Sequence, residues 1–264
     1  MTRGEGRPFT ERVSALLNRL GMPAGARDHY HFLADFFEHK RGFCKIEWQR
    51  GNDHTWHPLV ACYFRRRPEI ETILSEFQAR QLVPAQHDAL RLLGYHLDKR
   101  TVHFVAAGFR PDSPVHHKLY FSQYVTGHTV DKVEQQLARA LQFVCECEHH
   151  PPLTKLASDW RPLHRTVIAN TLDKASESTL FASVNLTQDG LEPWLKIDYP
   201  DVAPESAAAW VPTDERAQVM RDATTAARVV RRERLSFLGV RLRADSGRVT
   251  LKYYADFPDR TLIP

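Results

Sequence analysis

The stretch Phe104–Phe121, FVAAGFRPDSPVHHKLYF, is written again at Phe181–Asp198 as FASVNLTQDGLEPWLKID and at Phe237–Tyr254 as FLGVRLRADSGRVTLKYY. Each copy opens on Phe and carries Asp eight residues on (Asp112, Asp189, Asp245). Each then places a lysine six or seven residues beyond that Asp (Lys118, Lys196, Lys252). Apolar residues alternate with polar or small ones on both sides of the Asp, which predicts two antiparallel strands joined by a short turn. A fourth, degenerate copy opens at Phe43, FCKIEWQRGNDHTWHPLVACYF, with Gly51 at the turn and Ala61 where the other copies have Lys.

Helix-period segments separate the hairpins: FTERVSALLNRL, PEIETILSEFQARQL, DKVEQQLARALQFVCE and DERAQVMRDATTAARVVRRE. Start signals precede several of them, such as Pro68-Glu69 and Thr213-Asp214-Glu215 after a Pro. The predicted unit is helix, often two helices, then strand, turn and strand, recurring four times at roughly 60-residue spacing. No low-complexity or linker-like tract divides residues 1–264, so a single domain is expected. The wider gap before the third copy leaves room for a further piece around RPLHRTVIANTL.

Side chains alternate between the two faces of a strand, so each hairpin sorts into two sets. One set of the first strands is apolar: Cys44, Ile46 and Trp48; Val105, Ala107 and Phe109; Ala182, Val184 and Leu186; Leu238, Val240 and Leu242. The other set carries Lys45, Glu47 and Gln49, then Ala106, Gly108 and Arg110, then Ser183 and Asn185, then Gly239 and Arg241. On the second strands Lys118 and Tyr120, Lys196 and Asp198, Lys252 and Tyr254, and Ala61, Tyr63 and Arg65 share one face. An open sheet with helices on its apolar face and water on the other satisfies this pattern. A sheet curled shut with helices outside satisfies it too, turns the polar face into a lumen and leaves no strand edge. Tyrosine recurring beside lysine favours the closed form, since a solvated face has no need of the pairing.

A buried cation without a counter-charge costs several kcal/mol. The polar set holds Lys45, Arg65, Lys118, Lys196, Arg241 and Lys252 against Glu47 and Asp198, so a lumen built from it is matched to an anion. Charge-assisted hydrogen bonds of about 1.5–3 kcal/mol each suffice to hold a diphosphate. The π faces of Tyr63, Tyr120 and Tyr254 suit a developing carbocation.

Taken together, these residues resemble the aromatic prenyltransferases of the ABBA type, the PT-barrel family. That family includes the fungal indole dimethylallyltransferases and the peptide prenyltransferases of cyanobactin pathways. The resemblance implies an α+β fold: an antiparallel barrel of repeated helix-helix-strand-strand units with helices outside. It implies transfer of a dimethylallyl or longer prenyl group from its diphosphate to an electron-rich aromatic or nitrogen acceptor, a free metabolite or a peptide side chain, in natural-product biosynthesis. Lys-x-Tyr pairs of the family grip the diphosphate and shield the allylic cation. Here KLY (Lys118, Tyr120) and KYY (Lys252, Tyr254) match, KID keeps Lys196 but has Asp198 in the tyrosine place, and ACYFR offers Tyr63 and Arg65 without the lysine. Arg65, Lys118, Lys196, Arg241 and Lys252 are then the diphosphate ligands, Tyr63, Tyr120 and Tyr254 the cation shield, and Glu47 the acceptor's catalytic base. The family usually has five repeats and ten strands, whereas four hairpins and eight strands are counted here. A shorter, more open barrel suits a bulky acceptor such as a peptide. A ligand- or peptide-binding barrel without transfer chemistry, or a non-prenylating enzyme on a related scaffold, is the alternative. Magnesium use varies within the family, and no carboxylate cluster here demands a bound ion; no organic cofactor is expected.

The composition excludes several other classes. A net charge of +4 is too small to argue for nucleic acid, and the basic run ARVVRRER has no interleaved aromatics. No apolar run approaches the length of a membrane span, and the N-terminus carries no signal-peptide pattern. With only four cysteines, a cytoplasmic protein is expected. CECEHH (Cys145–His150) has the residue types of a metal site, but helical side chains two apart diverge, so helix-end packing is expected instead. His54 and His57 are expected to face water. No P-loop, dinucleotide fingerprint, HExxH, GxSxG or DDxxD motif is present.

Overall fold

Strand-period segments fold as strands and helix-period segments as helices in the computed structural model, which describes residues 9–19, 27, 28, 31, 43–50, 56–64, 66–80, 88–110, 113–147, 154–173, 175–187, 190–229, 231–243 and 246–255. In chain order the elements are α1 (Phe9–Arg19), β1 (Phe43–Arg50), β2 (Trp56–Tyr63), α2 (Ile70–Ala79), α3 (Asp88–His96), β3 (Phe104–Arg110) and β4 (Ser113–Thr126). There follow α4 (Val130–Cys147), α5 (Thr154–Leu172), β5 (Glu177–Thr187), β6 (Gly190–Leu191) and β7 (Trp194–Val202). The last are α6 (Pro204–Ala208), α7 (Arg216–Val229), β8 (Leu235–Arg243) and β9 (Val249–Ala255). No helix among the described residues is long and apolar enough to cross a membrane.

The strands form an antiparallel eight-stranded barrel. Pairing runs β1–β2–β3–β4–β5–β7–β8–β9 and returns from β9 to β1. The β4–β5 ladder, from His117↔Leu186 to Thr126↔Glu177, joins what would otherwise be the two edges of an open sheet. Two seams are short: β1 meets β9 over Trp48–Arg50, and β5 meets β7 over Phe181–Ser183. Arg50 ties the first seam from outside, its Nη2 2.9 Å from Oδ1 of Asp222 on α7.

Each ladder has an outer and an inner face. Outward side chains such as Val105, Leu119, Ala182, Val184, Ile197, Val240 and Leu251 join helix residues including Ile73, Phe77, Leu93, Leu137, Val144 and Ala226 in one buried cluster. Inward, Leu59, Ala61, Phe104, Ala106, Tyr120 and Tyr254 form a second, separate cluster. Two apolar cores on opposite sides of one sheet are the signature of a filled barrel wrapped in helices.

The segment RPLHRTVIANTL is helix, not strand: it lies in α5, Pro162 included. Trp160, His164, Val167 and Ile168 form a helical stripe, all four buried against the barrel, and that stripe outweighs the single backbone hydrogen bond a proline removes. Cys145 is likewise buried in the α4 packing, and residues 148–150 of CECEHH lie outside the described residues. So do the turn aspartates Asp112, Asp189 and Asp245, and His54.

The α5–barrel contact contains a polar knot. Trp160 Nε1 donates to the Tyr199 hydroxyl at 3.3 Å, and His164 Nδ1 lies 2.8 Å from the same oxygen. The one hydroxyl thus joins the indole and the imidazole in a single buried network. Burial holds the imidazole neutral down to about 4, with Glu134 opposing that shift. Replacing Tyr199 by Phe removes one oxygen and strands two buried partners, so unfolding in urea should show a loss of about 1–3 kcal/mol. An unchanged midpoint and slope would show that the knot contributes nothing.

Candidate functional site

The hairpin register explains why the repeat keeps its Phe and its Lys. In every copy the opening Phe pairs with the residue two beyond the lysine position: Phe43↔Tyr63, Phe104↔Tyr120, Phe181↔Asp198 and Phe237↔Tyr254. One step inward along the same face, a lysine stands opposite a small residue: Ala106↔Lys118, Ser183↔Lys196 and Gly239↔Lys252. The degenerate copy keeps this pair with the strands exchanged, Lys45 standing opposite Ala61. Small partners give each long cationic side chain room inside the ring. At Gly239 the constraint is tight, since a Cβ there would fall 2.6 Å from Asp198 Oδ1 and 3.2 Å from Lys252 Cβ.

The outer layer forms an aromatic collar. Phe104 stacks on Tyr63 at 4.5 Å and on Tyr120 at 3.9 Å between ring centroids. Phe181 meets Phe104 edge-on at 5.4 Å and Phe237 at 5.9 Å. Such contacts are worth about 0.5–1.5 kcal/mol each beyond the area they bury. These rings, with Tyr254 and Asp198, surround a recess of about 30 Å³ that opens to the surface. His103 leans on Phe181 at 5.0 Å; burial, then the charge of Arg67, pushes its imidazole down to about 4.

Beneath the collar lie the lysines. Lys118, Lys196 and Lys252 are 1%, 0% and 3% exposed, and Asp198 is 3% exposed. Lys196 Nζ sits 2.8 Å from Asp198 Oδ2, donates to the hydroxyls of Tyr254 and, at 3.3 Å, Tyr120, and lies 4.6 and 4.8 Å from the centroids of those rings. Lys118 Nζ donates to Gln49 Oε1 at 2.9 Å. That contact follows from the stagger at the short seam, which places Gln49 opposite Tyr254. The guanidinium of Arg241, paired in register with Lys196, lies 4.1 Å from the Trp194 ring. Between Tyr120 and Lys196 sits Ser183, wholly buried, with an Oγ that makes no hydrogen bond. The next inward residue of β5, Asn185, gives its amide to Glu192 and leaves Oδ1 unmatched. Burial first, then the positive charges of Lys196, Arg241 and Lys252, push Lys118 well below the usual lysine range, with Asp198 pulling the other way.

Of the residues singled out from the sequence, Lys118, Lys196, Arg241, Lys252, Tyr120 and Tyr254 come together in one cluster, and Tyr63 stands in the collar above them. Arg65 lies outside the described residues, as do the side chains of Glu47 and Lys45. Glu47 pairs in register with Leu59, a member of the inner cluster. Sequence reasoning missed the collar, although each Phe is two residues from a polar position and therefore on the same face. It also missed Gln49 as the Lys118 partner, and Arg67, which is exposed yet donates to Ser122 Oγ at 3.2 Å. Comparison of the sequence with models of known protein families and with characterised proteins finds no match.

The depressed Lys118 makes stability depend on pH. In the unfolded chain this lysine keeps its proton up to its ordinary value of 10.5, whereas the native protein releases it at lower pH. Between the two the unfolded chain binds more protons, so stability rises with pH across that window. Above about pH 10 the trend reverses, because burial raises the native Tyr199 and Tyr253 hydroxyls above their unfolded value. Chemical denaturation between pH 7 and 10 should show the parent gaining stability and a Lys118→Met variant gaining less. Equal slopes would mean that native Lys118 titrates as a solvated lysine does.

Proposed function

We propose that the protein is a prenyltransferase of PT-barrel type. It binds a prenyl diphosphate with its anionic head on Lys118, Lys196, Arg241 and Lys252 and transfers the prenyl group to an electron-rich aromatic or nitrogen acceptor. The observation that carries this reading is the gathering of three buried lysines directly beneath an aromatic collar. Lys118, Lys196, Arg241 and Lys252 repel one another when protonated, and a bound dianion relieves that repulsion. The collar offers apolar contact for an isoprenoid chain, and Tyr120 and Tyr254 place π faces beside the head group. Catalysis in such a site is mainly electrostatic: departure of the diphosphate concentrates negative charge where the lysines already stand. Buried Ser183 Oγ, with no protein partner, is a further donor for that oxyanion.

A second reading, an anion- and isoprenoid-binding barrel without transfer, is favoured by the size of the recess. At about 30 Å³ it holds roughly two waters, so collar side chains must swing aside before a prenyl chain fits. Tyr63, Phe181 and Phe237, all only part-buried, are the rings with freedom to do so.

Incubation with dimethylallyl diphosphate and a panel of aromatic metabolites and peptides decides between the two. Transfer releases diphosphate and adds one prenyl mass to an acceptor; the binder retains the donor unchanged. Each charge-assisted hydrogen bond is worth about 1.5–3 kcal/mol. Lys118→Ala or Lys252→Ala should therefore lower kcat/KM for the donor about 10- to 100-fold while the circular dichroism spectrum stays native. Loss of folding with donor affinity intact would assign these lysines to internal ion pairs. Assay with and without a chelator settles whether magnesium takes part.

A further inference from the structure

We propose that Asp198 is the group that accepts the acceptor's proton during transfer, an inference that rests on the prenyltransferase reading above. Among the described residues Asp198 is the one carboxylate that lines the recess, and the other lining residues are aromatic. It stands in the outer layer across from Phe181, at the position where the first, second and fourth hairpins carry Tyr63, Tyr120 and Tyr254. An acceptor ring entering through the collar reaches this carboxylate before it reaches the lysines.

The carboxylate is held in place. Lys196 takes Oδ2 at 2.8 Å, and Oδ1 lies over Gly239, where the missing side chain leaves it room. Any larger residue at position 239 would push Oδ1 aside, since even a Cβ would stand 2.6 Å from it. Lys196 is thus shared between the two halves of the site. It belongs to the cation cluster below and fixes the carboxylate above.

The step balances as follows. The donor's C–O bond breaks, and its electron pair leaves with the diphosphate toward the lysines. A π pair of the acceptor forms the new bond to the allylic carbon and leaves the ring positively charged. The C–H pair (or the N–H pair of a nitrogen acceptor) then returns to the acceptor as its proton moves to the Asp198 carboxylate, and from there to solvent through the open recess. A proton on a cationic ring is strongly acidic, so a carboxylate already paired with a lysine is basic enough to take it. Without the base, the adduct reverts and water captures the allylic cation.

The test measures two products, prenylated acceptor and dimethylallyl alcohol, from dimethylallyl diphosphate and tryptophan- or tyrosine-containing peptides. Asp198→Asn keeps the shape and a carbonyl acceptor for Lys196. It should cut prenylated peptide by about 10²–10⁴-fold while diphosphate and alcohol are still released, so the ratio of products shifts. A ratio that shifts in Glu47→Gln and stays at the parent value in Asp198→Asn assigns the base to Glu47 and overturns the role. In the parent, acidification should move the ratio toward alcohol, a measurement that holds even if the Asn variant does not fold. Prenylated peptide formed at the parent rate by Asp198→Asn, equal loss of both products, or a parent ratio indifferent to acidification overturns the role. A parent that releases no diphosphate with any acceptor overturns the transferase reading itself, which is a different result.

Discussion

The ion pair between Lys196 and Asp198 sits at the point on which the interior of this barrel depends. Both side chains are withdrawn from water, and at a separation of 2.8 Å each charge compensates the other in a low-dielectric interior. Around the pair stand Tyr120 and Tyr254, whose hydroxyls accept from the same ammonium, and beyond them Lys118 and Lys252. Barrels that need only stability fill their lumen with apolar residues. Here three lysines stand there instead, each opposite a small residue of the neighbouring strand.

Closure of the ring gives those lysines their setting. An open sheet would let each ammonium reach water along the strand edge. The β4–β5 ladder removes that edge, and the helices seal the outer face with a continuous apolar core. The collar of Phe104, Phe181 and Phe237 with Tyr63 then narrows the remaining opening. The result is a graded interior, aromatic at the mouth and cationic below. Under the proposed function, the charged end of the donor lies inward and its apolar end toward the mouth.

Much of this was legible in the chain. The threefold Phe-Asp-Lys spacing marked hairpins, strand parity sorted their faces, and the helix-period segments between them fold as helices. The turn to helix at Pro162 was less legible, because proline argues against a helix until the buried stripe Trp160–His164–Val167–Ile168 is known to face a barrel wall. Glu47 was singled out by analogy with a first-strand glutamate, and its side chain lies outside the described residues; Asp198, noted only as a tyrosine replaced, lines the recess. Parity alone gives a face; it does not say which residue on that face meets the opening.

What the sequence determined by itself is therefore local: the alternation of each strand, the shared face of Lys with Tyr or Asp inside each hairpin, and the cationic character of that face. These follow from neighbours a few residues apart, where backbone geometry leaves few choices. Only the tertiary structure decided that β4 pairs with β5 and β9 with β1, and with what stagger. Those pairings bring Gln49 to Lys118 and Lys196 to both tyrosines from separate hairpins, across 69, 76 and 58 residues of chain. Register between distant strands is set by the joint packing of two cores and by charges that must find partners, and no short stretch of sequence contains that information.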